Sequence, residues 1–332
     1  MTYQEVKFQK FEEDLLNLEK TLLEDFNIIV PNGSELESII LESIKFSDNE
    51  KNAMYYAKNE DFRQAYSNII GLHDIYTKIF DVKTHDNYKD LKGHLNLLLN
   101  SSVPQNKKSL VTDSGSNKIF ELYIALSCMK MSKKILLDNP QNSQGDNPDI
   151  IFEFKDKKYG IACKALHSDK HQTLYNNLEK ALDQIEKSSS EIGLVIISLK
   201  NLIKHEEYWP IINPAEYKKG EILQLGAYKN FTDARNKLIS YGNSYIASIN
   251  NPQEIDNLLK IFSASTKVPP EFYLFLNGTC SYFDIHGRTV TSNQKLLYKI
   301  SIIDERFSIE TYKVAKHINY FMQYGVRCKA FA

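Results

Sequence analysis

The chain has 332 residues, 42% of them hydrophobic and 25% charged, with a mean hydropathy of -0.40. Those values exclude a fibrous, low-complexity or membrane-embedded chain, and no apolar run approaches the ~20 residues that cross a bilayer. The net charge of -1 gives no basic signature overall, but residues 1–50 hold 12 acidic and 4 basic side chains, so the remainder is positive by 7. That asymmetry fits a polyanion partner for the larger part of the chain, or simply a solvated acidic helix face.

From the first residue, MTYQEVKFQKFEEDLL mixes charge with apolar side chains, unlike a signal peptide. Phe8, Phe11, Leu15, Leu18, Leu22, Phe26 and Ile29 recur at spacings of three or four, which predicts one helical stripe. Pro31-Asn32-Gly33 breaks it, and Ser34 with Glu37 forms a capping box for a second helix carrying Leu36, Ile39, Ile40 and Ile44. Helical pattern continues over about 60–83 and 86–100. Residues 1–105 therefore read as a helical region whose stripes are core or a seam for a partner or second copy, and 106–332 as a separate α/β domain with a C-terminal extension.

The polar, proline-bearing stretch 101–108 marks the boundary. After it the pattern predicts a helix over about 113–131 and strands at 134–138 (KILLD), 149–154 (DIIFEF) and 159–164 (YGIACK). A turn at 155–158 joins the last two. A helix over about 170–188 and a buried strand at 193–198 (GLVIIS) follow. The order helix, strand, strand, strand, helix, strand is that of a mixed α/β layer. Residues 201–222 read as loop, 225–249 and 253–263 as helix, 271–276 as a strand ended by Asn277-Gly278, and about 307–324 as a terminal helix. The four cysteines, Cys128, Cys163, Cys280 and Cys328, are scattered without a CxxC pair, which argues against a disulfide framework or cysteine zinc site and fits a reducing cytoplasm.

Chemistry concentrates in residues 147–166, NPDIIFEFKDKKYGIACKAL. With a four-residue turn at 155–158, Asp149 lies opposite Lys164 at one end of two neighbouring strands, and alternation places Asp149, Ile151 and Glu153 on one face. A carboxylate there can hold a hard divalent cation, and an ammonium beside it can orient a water or stabilise charge on a phosphate. Glu153, about 13 Å from Asp149 at ~3.3 Å per residue, is too far to share an ion with it.

Pro148-Asp149, the hairpin and Lys164 resemble the PD-(D/E)xK nuclease superfamily, over roughly residues 113–200. The resemblance implies a restriction-endonuclease-like mixed sheet flanked by helices, magnesium or manganese as cofactor, and DNA as substrate in a bacterial restriction or phage-defence setting. It also implies an added metal ligand at Glu121 in the preceding helix and a site glutamine at Gln184 in the following one. One position departs from the pattern: Ala162 stands where the family places an acid two residues before the lysine. Three explanations stand open. The acid has migrated, with Glu121, Asp149 and the backbone carbonyl of Cys163 completing the metal shell; the site is a silent copy that only binds; or 162 carries an inactivating substitution.

Other candidates are weaker. His167-Ser168-Asp169-Lys170-His171 holds triad residue types, but a triad normally draws on separate segments. Lys155, Lys157 and Lys158 suit a DNA backbone or any exposed turn. No GxxxxGK[ST] or GxGxxG occurs, which argues against an ATP or dinucleotide site.

Overall fold

A computed structural model describes residues 8–48, 61–101, 103, 114–140, 147–212, 225–303 and 308–324. The acidic leader folds into α1 (Phe8–Phe26) and α2 (Glu35–Asp48), followed by α3 (Arg63–Asp81), a short 3-10 turn at Tyr88–Leu91 and α4 (Lys92–Leu97). Phe11, Leu15, Leu18, Leu22 and Phe26 are buried along one stripe, as their spacing requires. Ile29 is not part of it: Asn27 adopts a positive φ of 52° that ends α1, and Ile29 is 72% exposed. The Ser34 hydroxyl accepts the Glu37 N–H at 3.2 Å, while the Glu37 carboxylate accepts the N–H of Gly33 rather than that of Ser34.

The α/β part runs α5 (Ser114–Met129), β1 (Ile135–Leu137), β2 (Ile150–Phe154), β3 (Lys157–Ala165), α6 (His171–Lys187) and β4 (Ile192–Ser198). There follow α7 (His205–Tyr208), β5 (Ala227–Tyr228), α8 (Phe231–Ile249), α9 (Pro252–Ser263), β6 (Glu271–Phe283), β7 (Thr289–Ser301) and α10 (Ile309–Tyr324). The described strands form one seven-stranded mixed sheet, with β1, β2 and β3 antiparallel in turn, β3, β4 and β6 parallel, and β7 antiparallel on the far side of β6. β5 pairs with the end of β6 beyond β4.

Period-two alternation sends successive residues to two cores. Ile150, Phe152, Ile161, Cys163, Leu194 and Ile196 pack with α1 to α5 and α10, so the helical leader and one sheet face share a continuous core. Ala162, Val195, Ile197, Leu274 and Leu276 pack under α6, α8 and α9. None of the described helices is long and apolar enough to cross a membrane.

Three expectations need correction. The turn joining β2 to β3 has two residues, not four: Lys155 and Asp156 take φ of 51° and 60°, and Phe154 pairs with Lys157. Paired numbers therefore sum to 311 rather than 313, which sets Asp149 level with Ala162 instead of Lys164. Second, Asn277-Gly278 does not end a strand. β6 runs through it because β7 pairs with it on both sides of Gly278, and the Tyr208 ring lies where a side chain at 278 would be, 2.6 Å from a Cβ placed there. Its partner β7, TVTSNQKLLYKIS, escapes sequence reading because its polar half does not show an apolar alternation. Third, residues 227–228 pair in the sheet before α8 begins, capped by the Asn230 side chain. The predicted boundary at 101–108 lies almost wholly outside the described residues, as do Cys328 and Asp146, the loop acid before Pro148 that the sequence leaves free to swing toward Asp149.

Candidate active site

At the rim of the sheet where the two helical layers meet, β2 begins at Ile150 and β3 ends at Ala165. Asp149, 3% exposed, enters the strand there and its Oδ2 accepts the Cys163 N–H at 2.7 Å. The shorter turn explains this contact: with Asp149 level with Ala162, the next amide along β3 faces the carboxylate. Lys164 reaches back so that its Nζ lies 3.5 Å from Asp149 Oδ2 and donates to Gln184 Oε1 at 2.8 Å. Gln184 is delivered by the buried face of α6, whose Leu174, Leu178, Ala181 and Ile185 anchor it on the sheet.

Glu121 arrives from the opposite layer, on α5 between the buried Phe120 and Leu122. Its link to Asp149 is a lysine that sequence reading passed over. Lys118 Nζ lies 2.8 Å from Glu121 Oε2, 3.6 Å from Asp149 Oδ1 and 3.8 Å from Asp138 Oδ2. Asp149, Glu121, Lys164 and Gln184 are thus neighbours, and Lys118, Asp138 and His94 join them. Lys118 is one helical turn before Glu121, a spacing legible in the sequence. Asp138 is not legible as a site residue until β1 and β2 are paired: its N–H donates to the Asp149 carbonyl at 3.0 Å.

Electrostatics follow from burial. Burial, then the neighbouring Asp149 carboxylate, pushes Glu121 well above the usual carboxylate range. Burial would lower Lys118, but Glu121, Asp149 and Asp138 outweigh it and hold the ammonium above its ordinary value. Burial and then the Lys118 charge pull His94 down to about 4, so its ring is neutral. The Cys163 thiol is pushed well up by burial and by Asp149 and Glu121, and it faces the core opposite Lys164. It is a packing residue there, not a nucleophile. Ala162 is fully buried among the apolar side chains beneath α6.

The donor set is one of hard carboxylate oxygens, the class magnesium and manganese prefer. As the side chains stand, no group of three or more His, Cys, Asp or Glu among the described residues can hold an ion. The Lys118 ammonium, itself a cation, sits against Glu121 with Asp149 and Asp138 within 4 Å. The Lys118 side chain is 19% exposed, so part of it already meets solvent. One buried oxygen, Asp138 Oδ2, has no hydrogen-bond partner.

Elsewhere, His167, Ser168 and His171 engage Asn201, the Lys170 N–H and Glu254 respectively, and form no triad. At the hairpin tip Lys157 is paired with Glu310. A cavity of about 930 Å³ lies between α1, α3 and the β6–β7 hairpin and includes none of the rim residues. No family model, curated protein or solved structure matches this chain.

Proposed function

We propose that the chain is a metal-dependent nuclease that hydrolyses DNA phosphodiester bonds, with a restriction-endonuclease-like core of the PD-(D/E)xK type spanning α5 to β4. The observation carrying this is the Lys164 ammonium held between Asp149 at 3.5 Å and Gln184 at 2.8 Å at the sheet rim, with Glu121 entering from the helix before the hairpin. The order of α5, three antiparallel strands, α6 and a parallel fourth strand supports the same assignment.

Asp149 and Glu121, with the Cys163 backbone carbonyl, would hold magnesium or manganese. When bound, the ion lowers the pKa of an attacking water and offsets charge on the scissile phosphate. Lys164 keeps its direction through Gln184 and presents an N–H to that water or to a non-bridging phosphate oxygen. The Cys163 N–H locks the Asp149 carboxylate in one rotamer, so little reorganisation is needed when a substrate arrives. A restriction or phage-defence role, with the acidic helical leader facing a partner or a second copy, is the setting that suits such an enzyme.

A second reading has its own observations: Ala162 removes the usual acid, and Lys118 already neutralises the carboxylates. By that reading the chain is a silent, nuclease-like nucleic-acid-binding or structural subunit of a defence complex. Incubating the protein with supercoiled plasmid and magnesium separates the two. Nicking that disappears in Asp149→Asn and Lys164→Met supports the enzyme. Intact plasmid with a retained gel shift supports the binding subunit and refutes the enzyme.

A further inference from the structure

One buried carboxylate on α3 serves two lysines. The Lys78 ammonium donates to Asp74 Oδ1, and the Lys295 ammonium, arriving from β7, lies 2.8 Å from Asp74 Oδ2. The two lysine side chains are only 5% and 7% exposed. Both ammoniums also lie over the Tyr123 ring, 5.1 and 5.9 Å from its centroid. Among the described residues Asp74 is the one carboxylate paired with either lysine, so the buried group keeps one positive charge in excess. A buried charge is costly until a counter-charge meets it, and a ring face meets it only in part. Burial pulls Lys295 down to about 8, with Lys78 adding to the effect and Asp74 offsetting a part of it.

This excess charge opens onto the cavity between α1, α3 and the β6–β7 hairpin. Lys295 and Asp74 form part of its wall, and its volume of about 930 Å³ falls in the range of small-molecule pockets. Of the other charges on the wall, Arg288 is matched by Asp284 at 2.8 Å, and Lys229 adds a further cation. With Lys78 behind the wall, Lys78, Lys229, Arg288 and Lys295 stand against Asp74 and Asp284 alone among the described residues at this place. Tyr66, Phe231 and Phe283 give the cavity aromatic faces, and Thr289 and Ser292 give it hydroxyls. A simple inorganic anion would satisfy the charge and leave the aromatic faces unused. A nucleoside phosphate answers all three features: a planar base for the rings, sugar hydroxyls for the polar strand, and a phosphate for the ammoniums.

We infer that this cavity binds a nucleoside phosphate, with Lys295 and Lys229 on the phosphate and the aromatic side chains on the base. The site is separate from the sheet rim and draws on none of its residues. It needs no metal, and it stands or falls independently of the nuclease reading.

The test is isothermal titration calorimetry of the full chain in buffer containing EDTA. The probes are AMP, GMP, CMP and UMP, their four nucleosides, and inorganic phosphate. At least one nucleotide should bind about tenfold more tightly than both its nucleoside and phosphate. Lys295→Met should remove about that tenfold and leave the nucleoside unchanged, whereas Phe283→Ala should weaken nucleotide and nucleoside alike. Lys295→Met leaves Asp74 paired with Lys78, so the fold should survive it. Should it not fold, Lys229→Ala, an exposed position, carries the same comparison. No nucleotide binding, or binding that neither lysine variant weakens, would overturn the site. Phosphate binding as tightly as any nucleotide would overturn the ligand class. Binding lost in Lys164→Met but kept in Lys295→Met would move the nucleotide to the rim and overturn the assignment as well.

Discussion

Asp149 is the residue on which structural and chemical roles can be pulled apart. Truncation in Asp149→Ala removes the acceptor of the buried Cys163 N–H and a counter-charge for Lys164 and Lys118 at once. Breaking one partner of a buried ion pair costs about 3–5 kcal/mol. The orphaned amide adds about 1–3 kcal/mol. Loss of the like charge beside Glu121 returns a part, because Asp149 is the largest influence after burial raising that acid. Asp149→Asn keeps an oxygen for the Cys163 amide and loses the charge alone. The expected order of stability is wild type, then Asn, then Ala, with Asn about 1–3 kcal/mol above Ala, while cleavage is absent from both variants. Urea unfolding followed by circular dichroism at pH 7.5 reads this through the midpoints, provided the slopes agree. The reasoning is refuted if Asn and Ala unfold together, or if Ala matches the wild type.

Two further consequences concern the scaffold. Asp156 sits at φ 60° in the two-residue turn between β2 and β3, where glycine avoids the left-handed penalty, so Asp156→Gly should raise stability by about 0.5–1 kcal/mol and the melting temperature by a few degrees; a lower melting temperature would contradict the turn. His94 has a folded value near 4 against 6.5 for the unfolded chain, so the unfolded chain takes up the proton first as pH falls. Its effect on stability is nil above about pH 6.5 and becomes a loss between 6.5 and 4, reaching about 3 kcal/mol. His94→Gln should abolish that loss, seen as unfolding free energies of variant and wild type that converge or cross between pH 7 and 4; a constant gap would show that His94 takes its proton as readily folded as unfolded.

Local chemistry alone was enough for much of this protein. The 3.6-residue stripe of α1, the Ser34 cap, the apolar runs of β2 and β4, and the succession of α5, β1, β2, β3, α6 and β4 all depend on side chains near in sequence. The pairing of Asp149 with Lys164 across a hairpin was local too, whereas Glu121 and Gln184 came only from the family resemblance. Register was not local: a turn of two residues rather than four depends on whether Lys155 and Asp156 accept positive φ, which neighbouring strand pairing enforces. Gly278 read as a breaker until the Tyr208 ring supplied the reason for its missing side chain. The roles of Lys118, Asp138 and His94 likewise came only from tertiary structure, because charge acts across space: α5, β1 and α4 meet around Asp149 though they are far apart along the chain.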